Sequence, residues 1–177
     1  MGADQSDSAN KADKNYEDVT RYSLDEQAET ELLRAQAECT FIWSNKEGHP
    51  VGVVMNYVFS EGRFWLTASG QRARVSAVRR DPRVSIVLSS LGSTVKTRKS
   101  LTYKGRCVVH DDADTKAWFY PALAEAVRRG DPDAQAAFVR HLDSPRRVIF
   151  EIVPEGRIGF DSTRMWKDTP DAARRDE

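Results

Sequence analysis

The sequence predicts a mainly β protein decorated with helices, of class α+β, built on a small antiparallel barrel. Three observations carry that reading. Seven short runs are rich in β-branched and aromatic residues, turn-forming residues separate several of them, and only two helical stretches interrupt the β pattern. A chain of 177 residues suits one domain with tails and can bury enough core to fold without disulfide staples.

The elements follow in order. Residues 1–22 are polar and acidic and are expected to form a disordered arm. Ser23-Leu24-Asp25-Glu26 has the form of a capping box, and Leu24, Ala28, Leu32 and Ala35 recur at helical spacing, so an amphipathic helix is expected over 24–38. Cys39–Ser44, the turn Lys46-Glu47-Gly48-His49-Pro50 and Val51–Phe59 read as a hairpin. Ser60-Glu61-Gly62 then turns the chain into a strand over Arg63–Ala68. Gly70–Arg80 reads as a helix stopped by Asp81-Pro82, and Val84–Leu88 and Leu101–His110 as further strands.

The second helical stretch, Asp112–Leu142, carries a divider at Arg129-Gly130-Asp131-Pro132. There Gly130 ends one helix in the left-handed conformation, Asp131 caps the next and Pro132 opens it. Pro121 is expected to kink or split the first of these helices. Arg147–Val153 and Arg157–Asp161 read as strands on either side of a Pro154-Glu155-Gly156 turn. Residues 167–177 are charged and read as a flexible tail, so the folded domain spans 23–166.

Charge narrows the function. With 27 basic and 27 acidic residues the chain is formally neutral, which argues against a nucleic-acid binder or an anionic-membrane binder. No apolar run reaches the roughly 20 residues of a membrane span, and the N-terminus lacks a secretory pattern, so a cytoplasmic location is expected. Cys39 and Cys107 are isolated and read as buried, reduced thiols. His49, His110 and His141 are scattered without metal-ligand spacing, so no metal site is expected.

The neutrality is a cancellation. Arg63–Arg106 holds eleven basic residues against one acid, Asp81, whereas residues 1–31 sum to −6. Within the basic segment, Thr67-Ala68-Ser69-Gly70-Gln71-Arg72-Ala73-Arg74 runs from a strand end into a helix start. Backbone N–H groups, short hydroxyl residues and two arginines suit a phosphate there. Arg72 and Arg74 lie two apart and do not share a helix face, so they converge only if one sits in the strand-to-helix turn. The spacing leaves open the alternative of a solvated helix start bearing two surface arginines.

Three runs carry a family resemblance: Phe64-Trp65-Leu66-Thr67 with Ser69-Gly70-Gln71-Arg72-Ala73-Arg74, then Arg80-Asp81-Pro82-Arg83-Val84-Ser85, then Leu101-Thr102-Tyr103-Lys104-Gly105-Arg106-Cys107. In this order they resemble the pyridoxamine 5′-phosphate oxidase-like superfamily of FMN-binding split β-barrels, over about residues 24–166. The resemblance implies a six- to seven-stranded antiparallel split barrel and a flavin oxidoreductase that exchanges hydride at the flavin N5 with a small-molecule substrate. It implies that Gly52-Val53-Val54-Met55-Asn56 lies along the flavin ring, and that Thr67 and Ala68 sit beside the phosphate. Arg74 is the implied phosphate ligand and Arg72 its helper, while Lys99 and Ser100 offer polar contacts to the ring or ribityl chain. Phe160, Arg164 and Trp166 fall where a partner subunit closes over the ring, so a homodimer is implied.

The departures matter too. The strand before the turn lacks the Arg and Lys that bracket it in pyridoxamine-phosphate oxidases, and the sequence shows no convincing match to their C-terminal segment, which contains Arg-Leu and ends in Ala-Pro. Both argue against oxidation of pyridoxamine phosphate. Other readings keep the fold. One is a reductase using 8-hydroxy-5-deazaflavin, with Arg79, Arg80, Arg83, Lys96 and Arg98 forming a groove for its anionic tail. The other is a flavin- or haem-binding protein without turnover. Tyr57, Trp65 and Trp166 are candidates to stack on a ring, with Trp65 read preferentially as barrel core or rim. No catalytic triad, paired carboxylate or other acid–base motif is visible.

Overall fold

Apolar and polar residues alternate along Glu38–Ser44 (β1), Arg63–Ser69 (β4) and Arg83–Ser89 (β5), and in each strand every second side chain is buried. In the computed structural model, which describes residues 19–168, these strands join Pro50–Asn56 (β2), Val58–Ser60 (β3), Lys99–His110 (β6) and Arg147–Asp161 (β7). They form one seven-stranded antiparallel sheet in the order β2-β1-β5-β6-β7-β4-β3. The sheet curls around a core that includes Phe41, Phe64, Leu66, Ile86, Leu101, Phe150 and Ile152, each fully buried. Phe41 stacks between Trp43 and Phe150, at 5.6 and 5.4 Å. This is the split barrel expected from the sequence.

Five helices accompany the sheet among the described residues: Glu26–Ala35 (α1), Ala73–Arg80 (α2), Ala113–Val127 (α3), Pro132–Leu142 (α4) and Ser162–Asp168 (α5). α3 and α4 form a second cluster, in which Phe119, Tyr120, Leu123 and Leu142 pack with Ile149 and Trp65 on the outside of the sheet. The divider between them behaves as its sequence dictates. Gly130 has φ +75°, and the Asp131 carboxylate accepts a 2.9 Å hydrogen bond from the Ala134 N–H.

Several expectations need correction. Pro154-Glu155-Gly156 is no turn, because β7 runs unbroken from Arg147 to Asp161 along the whole of β6. The ladder absorbs Glu155 as a bulge: Gly105 opposes Pro154 while Lys104 opposes Gly156. Conversely, the run 51–59 is broken at Tyr57. Its ring is buried, its N–H donates to the Ala37 carbonyl and its hydroxyl to the Leu33 carbonyl, which takes it out of the ladder. The first helix is shorter than 24–38. Asp25 is its cap, accepting from the Ala28 N–H, while the Ser23 hydroxyl donates to the Thr20 carbonyl.

Pro121 does not split α3, which continues through it. The helix expected from Gly70 starts at Ala73. Val19–Tyr22 is a 3-10 turn with Tyr22 buried, so these four residues belong to the fold and not to an arm. The rest of the expected arm, and residues 169–177 of the expected tail, lie outside the described residues.

Candidate functional site

The β4–α2 corner is tightly built. The Gly70 N–H donates to the Arg146 carbonyl at 2.6 Å, and a Cβ on Gly70 would lie 2.6 Å from the same oxygen, so only glycine allows this approach. The corner is followed by Arg72, which stands at the N-cap of α2 in an extended conformation and whose side chain makes no capping hydrogen bond. Arg74 follows in the first helical turn. The condition for their convergence is therefore met, since one arginine lies in the turn and the other in the helix.

Partial burial, and then the neighbouring Arg72 charge, lower the Arg74 pKa. The Arg74 Nε is buried and has no hydrogen-bond partner among the described residues. A second orphaned guanidinium nitrogen, Arg147 Nε, belongs to the residue opposite Ser69 at the start of β7. Sequence reasoning missed Arg147, because nothing local distinguishes it from Arg146. A buried donor without an acceptor costs free energy, and an anion at this corner would remove that cost.

Around the corner, the Thr67 hydroxyl donates to the Val148 carbonyl at 2.8 Å, and Ala68 points into the barrel core. Along β2, Val53 and Met55 pack against that core, Val54 is exposed, and the Asn56 amide donates to the Ala37 carbonyl at 3.3 Å.

The remaining candidates lie elsewhere. Lys99, Ser100, Phe160 and Trp166 line one groove of about 710 Å³, together with the loop from Ser89 to Arg98 and with Ser162 and Met165. Ser100 is paired with Phe160 in the β6–β7 ladder, whereas Ser69 is paired with Arg147. The groove and the arginine corner thus stand at opposite ends of β7, thirteen residues apart. At about 3.3 Å per residue this is roughly 43 Å of strand contour.

Arg164 does not line the groove. Its guanidinium donates to the Ser23 carbonyl at 2.9 Å and pairs with Asp25, tying the start of α1 to α5. Tyr22 sits edge-on to Phe160 at 6.3 Å.

The five basic residues expected to share a groove do not meet. The Arg80 guanidinium donates to the Ser44 carbonyl, and Arg83 pairs with Asp81, whose carboxyl it holds down to about 2. Lys96 and Arg98 lie beyond the other end of β5, in the groove loop. Among the stacking candidates, Tyr57 is in the barrel core, and Trp65 lies under α3, edge-on to Trp118 at 4.8 Å.

The histidines share no cavity. His110 Nε2 is 2.7 Å from the buried Glu151 carboxylate, which also pairs with Arg63; His49 is exposed, and His141 stacks on Phe138 at 6.4 Å. No group of metal-ligating side chains occurs among the described residues. Cys39 and Cys107 are free and buried, with burial pushing each thiol up to about 12. No helix among the described residues is long and apolar enough to cross a membrane.

Comparison with known proteins bears on this geometry. The family model described as Pyridoxamine 5′-phosphate oxidase matches residues 24–158. No curated protein is significantly similar. Among solved structures, a conserved hypothetical protein from Mycobacterium tuberculosis superposes with TM-score 0.69 at 20% identity, covering 80% of this chain and 88% of that one. An FAD-binding protein from Mesorhizobium loti gives TM-score 0.59 at 21% identity, over 78% and 96% of the two chains. The haem-storage protein HutZ from Vibrio cholerae gives 0.60 at 16%, over 77% and 94%. At these identities the likenesses establish the fold alone.

Proposed function

The chain belongs to the pyridoxamine 5′-phosphate oxidase family, and we propose on that premise that it is an FMN-dependent oxidoreductase acting as a homodimer on a small molecule. The observation that carries this reading is the buried Arg74 Nε, without an acceptor, beside Arg72 at a strand-to-helix corner. A phosphate monoester supplies the missing acceptor oxygens and offsets the mutual repulsion of the two guanidinium groups.

The placement of the other residues is the support for the homodimer. In a dimer that opposes the β7 ends of two chains, the arginine corner of one protomer and the groove of its partner can hold the two ends of one cofactor. Lys99 and Ser100 would orient the ring edge and the Val53–Asn56 backbone would run along it, while Phe160 and Trp166 would exclude water. Bound FMN would supply hydride chemistry of its own, so the chain need not provide an acid–base pair. Oxidation of pyridoxamine phosphate itself is no part of the proposal, because the strand before the turn lacks the bracketing Arg and Lys.

The visible absorption spectrum of the purified protein, with extraction of its cofactor and sedimentation to measure its mass, tests the reading. A flavin band that titrates to one FMN per protomer in a dimer is the expected result. A protein that acquires no flavin signal on titration overturns it.

A further inference from the structure

The groove at the end of β6 and β7 has a charge its function must explain. Three of its lining residues, Lys96, Arg98 and Lys99, are basic, and none is acidic. None of the three makes an ion pair with any described residue. Lys99 Nζ donates to the Thr97 hydroxyl at 2.6 Å. The carboxylate opposite Lys99 in the β6–β7 ladder, Asp161, is buried and accepts from the Thr163 N–H. Three like charges around one concavity repel one another and raise the local concentration of anions.

The loop that carries them is held firmly. Buried Ser90 is its pivot: its hydroxyl donates to the Thr97 carbonyl at 2.7 Å and accepts from the Lys99 N–H at 2.9 Å. Ser93 donates to the Ser90 carbonyl, and the Gln36 amide donates to the carbonyls of Ser89 and Leu91. On the far side, both the N–H and the hydroxyl of Ser162 donate to the Arg98 carbonyl, at 3.0 and 2.8 Å. The cations are thus set on a cross-linked loop, opposite an apolar wall that includes Phe160 and Trp166.

We propose that the part of this groove left free by the cofactor's ring edge is the substrate subsite and that it takes an organic anion: Lys96 and Arg98, to which no cofactor contact is assigned, receive the charged group, while a planar or apolar body lies on Phe160 and Trp166. Only the assignment of that anion as substrate rests on the flavin-dependent reading above. Cation pair and apolar wall together select against neutral molecules of the same shape, whose binding leaves the cations unpaired. They select equally against small inorganic anions, which cannot use the wall.

The test uses 2-naphthoate and its neutral counterpart 2-naphthamide as probes, measured by calorimetry on the full chain with and without FMN. The wild-type protein is expected to bind the carboxylate at least about tenfold more tightly than the amide, the scale of a charged hydrogen bond. The pair of substitutions Lys96→Glu and Arg98→Glu should abolish that preference and leave FMN affinity within about twofold of wild type. Lys96→Gln with Arg98→Gln replaces it if charge reversal prevents folding. Equal binding of the two probes overturns the proposal. So does a loss of FMN affinity in these variants as large as in Arg74→Ala, which would make the groove the cofactor's own phosphate site. A protein that binds no flavin yet prefers naphthoate through Lys96 and Arg98 refutes the flavin reading and retains the anion groove.

Discussion

Val54 and Ile158 stand at the two ends of one cross-strand row. Val54 is paired with Thr40, Thr40 with Val87, Val87 with Thr102 and Thr102 with Ile158, so five β-branched residues cross β2-β1-β5-β6-β7 on one face. The outer members are 66% and 60% exposed, which is unusual for large apolar side chains in the middle of strands. The neighbouring row holds Ser100 and Phe160 of the groove. This face, exposed at Val54 and Ile158 and half-buried between them, is the surface through which the proposed dimer would form.

Charges introduced there should separate the protomers. Val54→Asp with Ile158→Asp is expected to sediment as a monomer with unchanged secondary structure, and to lose FMN affinity at the same time. A dimer that persists in this variant would move the interface elsewhere.

Arg74→Ala removes the orphaned guanidinium. FMN affinity should fall by about 1–3 kcal/mol, the scale of a lost charge-assisted hydrogen bond. Thermal stability should stay level or rise, since a buried unpaired donor is removed with it. Fluorescence titration of flavin, alongside a melting curve, checks both halves.

The β6–β7 bulge rests on one glycine. A Cβ on Gly105 would fall inside van der Waals contact of the Val153 carbonyl and 3.1 Å from Pro154 Cα, whereas one on Gly156 would have only Lys104 Cε at 3.8 Å. Gly105→Ala should cost about 2–3 kcal/mol of stability, and Gly156→Ala less than about 1. Urea denaturation of the two variants gives the comparison.

Alkaline pH should destabilise the fold through Cys39 and Cys107. Burial raises each folded-state pKa from 9.0 to about 12, so the unfolded thiols ionise first. Their contribution is fully present below pH 9 and is lost as pH rises from there towards 12. Cys39→Ala and Cys107→Ala should each flatten the fall in melting temperature over that window. At pH 8 a thiol-reactive dye should label the native protein slowly and the urea-unfolded protein at once.

Much of the architecture is legible in sequence because its signals are local. The alternation in β1, β4 and β5, the Gly130-Asp131-Pro132 divider and the basic corner after β4 each depend on residues a few positions apart. The number of strands was legible for the same reason, but not their division. Pro154-Glu155-Gly156 has turn chemistry, yet β6 offers a partner along its whole length, and pairing there outweighs the local preference. Tyr57 has strand chemistry, yet the carbonyls of Leu33 and Ala37 draw it out of the ladder.

The candidate site divides along the same line. By itself the sequence determined which residues are suited to an anion, Arg72 and Arg74, because a strand end, a glycine and a helix start are contiguous in the chain. Only the tertiary structure decided that Lys99, Ser100, Phe160 and Trp166 share a groove at the other end of β7, and that Arg164 instead holds Asp25. The reason is register. Which side chains meet across a sheet is set by pairings between strands tens of residues apart, and no local pattern encodes those.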